Sequence, residues 1–146
     1  EILIKLNNTN LEKISSGEFN RLKLGLMVLK SENINTNGIL ILDEIDANLS
    51  GKESESIGKL LFKLSKNYQI FSISHQPQLT AYANQHFLIE KSNNISMVKE
   101  LETEEKEQEI ARMISGEVIT KESLVFSKTL LKEIKEIKEI KEIRLN

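Results

Sequence analysis

The sequence has no cysteine, no long apolar run and no excess of basic charge, and each absence excludes a class of protein. Without cysteine, the 146-residue chain has neither a disulfide framework nor a thiolate metal site. No apolar run approaches the roughly 20 residues that a membrane-spanning helix needs. The start of the chain does not resemble a secretion signal. We therefore expect neither disulfides nor a membrane partner.

The charge balance argues against a stand-alone nucleic-acid-binding domain. The 20 basic residues are offset by 22 acidic ones, and the net charge is −2. Such domains usually have a basic face. With 39% hydrophobic and 29% charged residues, the composition is that of a folded globular chain. Because the chain begins at Glu1, inside an apolar run and without methionine, we expect it to be a segment of a longer protein.

The order of apolar segments predicts an α/β fold with a mainly parallel sheet flanked by helices. The runs 2–6, 39–42 and 70–74 predict strands, and helices are predicted in between. The run 39–42 is continuous, as in a strand covered on both faces of a parallel sheet. The residues predicted to be buried on the helices are Phe19, Leu22, Leu26 and Leu29, then, after a cap at Ser50, Ile57, Leu60, Leu61 and Leu64.

The C-terminal part is predicted to contain a hairpin, a helix and a helical tail. The hairpin covers 87–101, and the helix lies around Ile110 and ends near Gly116. From 132 to 144 the chain repeats Lys-Glu-Ile, which favours a helix. Isoleucine at every third position gives a stripe that drifts around this helix. We interpret the tail as a solvated extension, with a partner helix as the alternative, and divide the chain into 1–131 and 132–146.

Two adjacent carboxylates, Asp43 and Glu44, end the apolar run 39–42. Ligands of parallel α/β sheets bind at the carboxyl ends of the strands. There, Asp43 has the chemistry to hold magnesium, and Glu44 has the chemistry to orient and deprotonate a water molecule. A strand that simply ends in polar residues before a turn is the alternative, since this short motif is weak by itself.

A histidine follows the second apolar run in the equivalent position. His75 comes directly after the run 70–74, and imidazole is suited to hydrogen-bond a phosphate and sense its charge. Between the two runs, residues 46–50 lead into a helix. The alternative is an ordinary surface or core histidine.

A third candidate element, residues 15–18, opens the first long helix. Small residues at a helix N-terminus expose backbone N–H groups, which suit a phosphate. Ser15 and Glu18 also have the spacing of a capping box, so a purely structural cap is the alternative.

Together, these elements are more specific than any of them alone. Their order resembles the C-terminal lobe of ABC-type ATPase heads, where a signature loop and helix precede a strand ending in Asp-Glu, an Asp-containing loop and a strand ending in His. Because Ile45 rather than proline follows Glu44, the segment looks more like the SMC and RecF branch than like transporters. Within that branch it resembles the RecN family of bacterial DNA repair proteins. The stretches that carry this resemblance are 16–21, 43–46, 49–52, 74–78, 86–91 and 109–116, and the tail from 132 is not covered.

The resemblance implies a role for each candidate residue. Asp43 would support Mg²⁺, Glu44 would be the general base, and His75 would be the switch residue that reads the γ-phosphate. Ser15, Ser16, Gly17 and Glu18 would form the signature motif that contacts ATP bound to a second head. Residues Asp46 to Ser50 would form the D-loop, which links the two sites. Ser16 replaces a signature glycine, which is acceptable only if its backbone is right-handed.

The loop that would cradle the nucleotide's β- and γ-phosphates is missing from the sequence. Gly51-Lys52 and Gly58-Lys59 are the only Gly-Lys pairs, and neither has the spacing of the phosphate loop (Walker A). In the family this loop and a long coiled coil precede this segment. The resemblance therefore implies ATP and Mg²⁺ as cofactors, the N-terminal half of the same ATPase and a second head as partners, and DNA through the complete protein. It also implies a cytoplasmic, nucleoid-associated protein.

Two other functions remain open from the sequence. The leading interpretation, implied by the resemblance, is an ATPase that is active only when its N-terminal half completes it. A non-catalytic remnant, or an interaction module that uses the acidic stretch and the Lys-Glu-Ile helix, is the alternative. A transporter nucleotide-binding domain is a third reading, against which the residue after Glu44 argues.

Overall fold

The computed structural model describes residues 5–6, 9–10, 14–33, 37–43, 45–93 and 95–143. The chain forms two compact units, Glu1–Ser74 and His75–Asn146. Of the first predicted strand, residues 2–4 lie outside the described ranges. The elements of the first unit are β1 (Lys5–Leu6), β2 (Thr9–Asn10), α1 (Ser16–Asn33), β3 (Gly38–Leu42), α2 (Gly51–Leu64) and β4 (Tyr68–Ser72). Those of the second are α3 (Pro77–Thr80), β5 (Phe87–Ser92), β6 (Ile95–Glu100), α4 (Thr103–Ser115) and α5 (Lys121–Ile143).

The first unit contains the predicted parallel strand pair. β3 and β4 run parallel, and α2 lies between them in the sequence. A helical crossover is what a parallel connection requires. The pairing aligns Ile41 with Phe71, and it continues past β4, where the Ile73 N–H donates to the Leu42 carbonyl oxygen at 2.9 Å. The prediction of an α/β fold with parallel strands is confirmed.

One face of this strand pair is apolar and exposed. Alternate residues of a strand share a face, and Ile39, Ile41, Phe71 and Ile73 are 64%, 79%, 49% and 61% exposed. The prediction that 39–42 is covered on both faces is therefore wrong for this chain. The physical reason is that, among the described residues, only two strands pair in this sheet.

The two long helices of the first unit fit the predicted apolar stripes unequally. On α2, Ile57, Leu61 and Leu64 are buried, as predicted, and Leu60 is partly buried. On α1, the predicted stripe is wrong. The helix packs against α2 and buries Leu24 and Val28, whereas Phe19, Leu26 and Leu29 are exposed. Between positions 22 and 29, α1 has apolar side chains on several of its sides, so its sequence does not define a single buried face.

The second unit contains the predicted hairpin. β5 pairs antiparallel with β6, from Phe87 opposite Glu100 to Ser92 opposite Ile95. Asn93, in the turn, has a φ of 48°, a conformation that asparagine tolerates better than most residues. The helix predicted around Ile110 begins earlier than expected, at Thr103, and therefore includes most of the acidic stretch 102–109. It ends at Ser115 and is capped by Gly116, close to the predicted end.

The Lys-Glu-Ile tail is the end of a 23-residue helix, α5. The prediction of a helix is confirmed, and α5 continues without a break past the boundary predicted at 131/132. The tail is only partly solvated: Ile134 is 3% exposed while Ile140 is 52% exposed. The Lys138 Nζ donates to Asn84 Oδ1 at 3.0 Å. In the part of the chain that the structure describes, no helix is long and apolar enough to cross a membrane.

Candidate functional site

Residues 15–18, the signature turn, form a complete capping box at the start of α1. The Ser15 N–H and hydroxyl each donate to Glu18 Oε2 at 2.9 Å, and the Glu18 N–H donates to Ser15 Oγ at 3.2 Å. These bonds hold the pKa of Glu18 below its usual value: the Ser15 N–H has the largest effect, then the Ser15 hydroxyl, and the charge of Arg21 adds to them. The capping prediction is confirmed, and the turn is rigidly held.

The signature turn also has the backbone that an anion site needs. Ser16 is the first residue of α1, and the non-glycine residues with positive φ among those described are Asn48 and Asn93. Ser16 therefore has the right-handed backbone that a residue other than glycine requires at this position. The first amides of a helix have no acceptor within the helix. Since Glu18 N–H and Phe19 N–H both bond to Ser15, the amides of Ser16 and Gly17 are the ones left to meet a phosphate.

The carboxyl end of β3 leads into a tight turn. Asp43 follows the strand and is exposed, and Glu44 lies outside the described residues. Residues 45–48 form the turn, in which Asn48 has a φ of 60°. Ser50 then caps α2 with a second capping box: its N–H and hydroxyl donate to Glu53 Oε2 at 2.9 and 2.7 Å. The predicted cap at Ser50 is confirmed.

Asp46 is completely buried within the first unit. Its side chain is 0% exposed, and its Oδ2 accepts a hydrogen bond from the Ser74 hydroxyl at 2.5 Å. Burying a carboxylate without hydrogen-bond donors is costly. Asp46 therefore ties the turn 45–48 to the residue that precedes His75, and direct contact with a nucleotide would require it to leave this position. The sequence analysis missed Ser74, whose only signal was its place beside His75 at the end of a strand.

The structure brings the signature turn and the turn 45–48 together. A β-carbon built on Gly17 would lie 3.8 Å from the carbonyl oxygen of Ala47. Ser15, Ser16, Gly17, Glu18, Asp46 and Ser50 thus belong to one unit and surround two neighbouring helix starts. His75 is the first residue of the second unit, where it is exposed.

Among the described residues at the end of β3, Asp43 offers an exposed carboxylate to a metal ion. No cluster of three or more His, Cys, Asp or Glu residues suited to a metal occurs among the described residues. Magnesium bound to a nucleotide usually takes one or two protein carboxylates and completes its shell with phosphates and water. An exposed carboxylate at the end of β3 fits that need, so Asp43 is the residue that would hold the ion.

Removing the Ser74 hydroxyl, which donates to Asp46, should destabilise the first unit. We expect Ser74→Ala to lower the free energy of unfolding by about 1.5–3 kcal/mol, the range for hydrogen bonds to charged groups. Urea unfolding followed by circular dichroism measures the change. Ser72→Ala, an exposed serine on β4, is the control and should change stability little. Equal stabilities of the two variants would contradict this role of Ser74.

Comparison with solved structures shows which fold the chain shares. The chain is similar to a structure from a study of ATP-driven dimerization and DNA-stimulated activation of SMC ATPases, with a TM-score of 0.56 and 21% identity over 75% of this chain and 67% of that one. At this identity the likeness concerns the fold. The fold is that of a lobe of an SMC/ABC-type ATPase head.

The sequence comparisons identify the particular relatives. The chain is 44% identical to the DNA repair protein RecN of Helicobacter pylori (strain ATCC 700392 / 26695) over 133 residues, which cover 90% of this chain and 25% of that protein. It is 40% identical to RecN of Rickettsia conorii and 31% identical to RecN of Vibrio cholerae, over 80% of this chain and 22% of each relative. No family model matches. The chain is therefore similar to one segment of these RecN proteins, and it spans about a quarter of the length of the curated relatives it matches.

Proposed function

We propose that the chain is the C-terminal lobe of a RecN-like ATPase head that hydrolyses ATP during DNA double-strand break repair and recombination. It supplies the signature motif, the carboxylates after β3 (Walker B), the D-loop and the switch histidine. The complete head acts as a homodimer on nucleoid DNA in the cytoplasm, and the DNA contacts belong to the complete protein.

The observation that carries this proposal is the meeting of two turns in the first unit. The signature turn, with Gly17 at its helix start, lies beside Ala47 of the turn that follows Asp43 and Glu44. Both turns are suited to a polyanion: one exposes helix amides, and the other follows a carboxylate pair at the end of a parallel strand.

Each residue has a chemical role that follows from its group. Glu44 orients the attacking water and accepts its proton. Asp43 holds the magnesium ion, which, when bound, neutralises phosphate charge. His75 hydrogen-bonds the terminal phosphate of the nucleotide on its own head. Ser15 and the amides of Ser16 and Gly17 bind the γ-phosphate of the nucleotide on the partner head, while Glu18 caps their helix and residues 46–50 link the two sites.

The exposed apolar face of β3 and β4 supports the proposal that the N-terminal half of the ATPase is a partner of this chain. Ile39, Ile41, Phe71 and Ile73 form an apolar surface on a parallel strand pair, a kind of sheet that is normally covered on both faces. The sequence has no phosphate loop, and the relatives are about four times as long as the matched segment. We infer that the N-terminal half of the ATPase covers this face and brings the phosphate cradle.

A chimera tests the proposed function. The matched segment of H. pylori RecN is replaced by this chain, and the parent protein is the control. We expect the chimera to hydrolyse Mg-ATP at a rate close to that of the parent. A chimera that matches the parent in circular dichroism and in ATP binding but does not hydrolyse ATP would contradict the proposal. That result would support a non-catalytic interaction module, the candidate that the missing phosphate loop favours.

The isolated chain should bind Mg-ATP weakly or not at all. Without the phosphate loop, the backbone amides that cradle the β- and γ-phosphates are absent. Isothermal titration of the 146-residue chain with Mg-ATP should therefore give no saturable heat at micromolar concentrations, whereas the chimera should. Micromolar affinity of the isolated chain would contradict the division of the site between two halves.

A further inference from the structure

Two helix starts in the first unit have the same construction. α1 begins with the box of Ser15 and Glu18, and α2 begins with the box of Ser50 and Glu53, in which the Glu53 N–H returns to Ser50 Oγ at 3.4 Å. The two helices pack against each other. Arg21 lies on α1, one turn after Glu18.

The guanidinium of Arg21 lies against the backbone of the signature turn. A β-carbon built on Gly17 would lie 2.9 Å from Arg21 Nη1 and 3.8 Å from Arg21 Cζ. The same position is 3.8 Å from the Ala47 carbonyl oxygen. The absence of a side chain at Gly17 therefore gives the guanidinium its place, next to the backbone where the turn 45–48 passes.

This place is not explained by a hydrogen bond. Arg21 Nη1 is buried and has no acceptor among the residues that the structure describes. Buried donors normally have one. The arginine therefore acts here through contact with the signature backbone and through its charge.

The charge of Arg21 reaches both capping boxes. The pKa of Glu53 is lowered by the Ser50 hydroxyl, then by the Ser50 N–H, and the charge of Arg21 adds to both. The same order of causes, hydrogen bonds first and Arg21 after them, applies to Glu18. In both carboxyls, burial opposes these effects by raising the pKa, and the charge of Arg21 is the smallest cause of the lowering.

We propose that Arg21 is a positioning residue that couples the signature turn to the turn 45–48 and to the start of α2. It fills the space over Gly17, beside the carbonyl oxygen of Ala47, and its charge acts on the carboxylates of both capping boxes. For the effect on ATP turnover, the inference rests on the proposed function: the signature turn serves the partner's nucleotide, and the turn 45–48 follows the residues that serve the head's own. Arg21 would thus set the position of one group of residues relative to the other.

The coupling is testable in the 146-residue chain without any nucleotide. Carboxyl carbon NMR titrations give the pKa of Glu18 and Glu53 in wild type, Arg21→Met, Arg21→Lys and Lys23→Met. Lys23 is the control, because it is an exposed cation on the same helix whose Nζ lies 4.6 Å from the centre of the Phe19 ring. Arg21→Gln serves in place of Arg21→Met if the methionine variant does not fold.

We expect the pKa of Glu53 to rise in Arg21→Met and to stay at its wild-type value in Lys23→Met. Arg21→Lys keeps the charge and should keep most of the pKa depression, but lysine lacks the planar group that covers Gly17. Amide hydrogen exchange in residues 45–48 should therefore accelerate in both arginine variants. An unchanged Glu53 pKa in Arg21→Met would overturn the coupling.

The chimera separates this inference from the proposed function. There, Arg21→Met should lower kcat by about 10- to 100-fold, the loss expected when positioning is disturbed, with little change in KM for ATP. Arg21→Lys should retain part of the kcat that Arg21→Met loses. If the wild-type chimera is inactive, the proposed function fails and the titration still decides the coupling. If wild type and Arg21→Met hydrolyse ATP at the same rate, the positioning role is overturned while the proposed function stands.

Discussion

Replacing Glu44 with glutamine should stop ATP turnover in the chimera. Glutamine has nearly the same shape as glutamate but cannot accept a proton from water. The loss should be about 100- to 10,000-fold in kcat, the range for removal of a general base. Since the groups that bind ATP are unchanged, ATP should still bring two heads together, and the dimer should persist because hydrolysis no longer releases it. Steady-state ATPase assays and size-exclusion chromatography with ATP measure the two effects.

The control for this change is Glu55→Gln. Glu55 lies on α2, where it pairs with Lys59 at 2.5 Å and is 38% exposed. Removing this charge from the surface should leave turnover unaltered and should not trap a dimer. If Glu44→Gln behaves as Glu55→Gln does, the catalytic assignment of Glu44 is wrong.

A negative charge at the signature turn should be nearly as damaging. Ser16 is the first residue of α1, and a glutamate there is favourable for the helix because it meets the positive end of the helix dipole. Folding should therefore be preserved. The same charge would repel the γ-phosphate that the turn is proposed to bind, and kcat should fall by about 100-fold or more, as when a donor to the transition state is lost.

Ser16→Gln is the matched variant for this prediction, because it has the size of glutamate without its charge. It should retain considerably more activity than Ser16→Glu, and the difference between the two rates measures the electrostatic part. Thermal unfolding of both isolated chains shows whether the fold is intact. If both variants are as active as wild type, the signature turn does not approach a phosphate.

The features predicted correctly from the sequence depend on short stretches of chain. The caps at Ser15 and Ser50 follow from a serine three residues before a glutamate, where both partners lie in one helical turn. The stripe of α2 follows from apolar residues on one side of a helix, and the hairpin from two apolar runs around an Asn-Asn turn. In each case the residues that decide the structure are neighbours in the sequence.

The features that were missed depend on packing between distant segments. Leu24 and Val28 are buried on α1 because of where α2 packs, and the sequence of α1 offers apolar residues on several sides. The sequence predicts Asp46 only as part of a loop, and its burial becomes apparent only when Ser74, 28 residues later, reaches it. Sequence alone does not reveal the position of the Arg21 guanidinium, because it depends on the space above Gly17. The roles of Asp43, Glu44 and His75 stay predictions.

A mixture of two inactive heads tests the composite site most directly. Glu44 is proposed to act on the nucleotide of its own head and Ser16 on that of the partner. In a dimer with one Ser16→Glu head and one Glu44→Gln head, both changes therefore fall in the same site, and the other site has neither. Equal amounts of the two chimeras, mixed before ATP is added, should recover activity well above that of either variant alone, up to about a quarter of the wild-type ATPase rate, the value for random pairing, in which half of the dimers are mixed and each has one intact site of two. A mixture no more active than either variant alone would contradict a site shared between two heads.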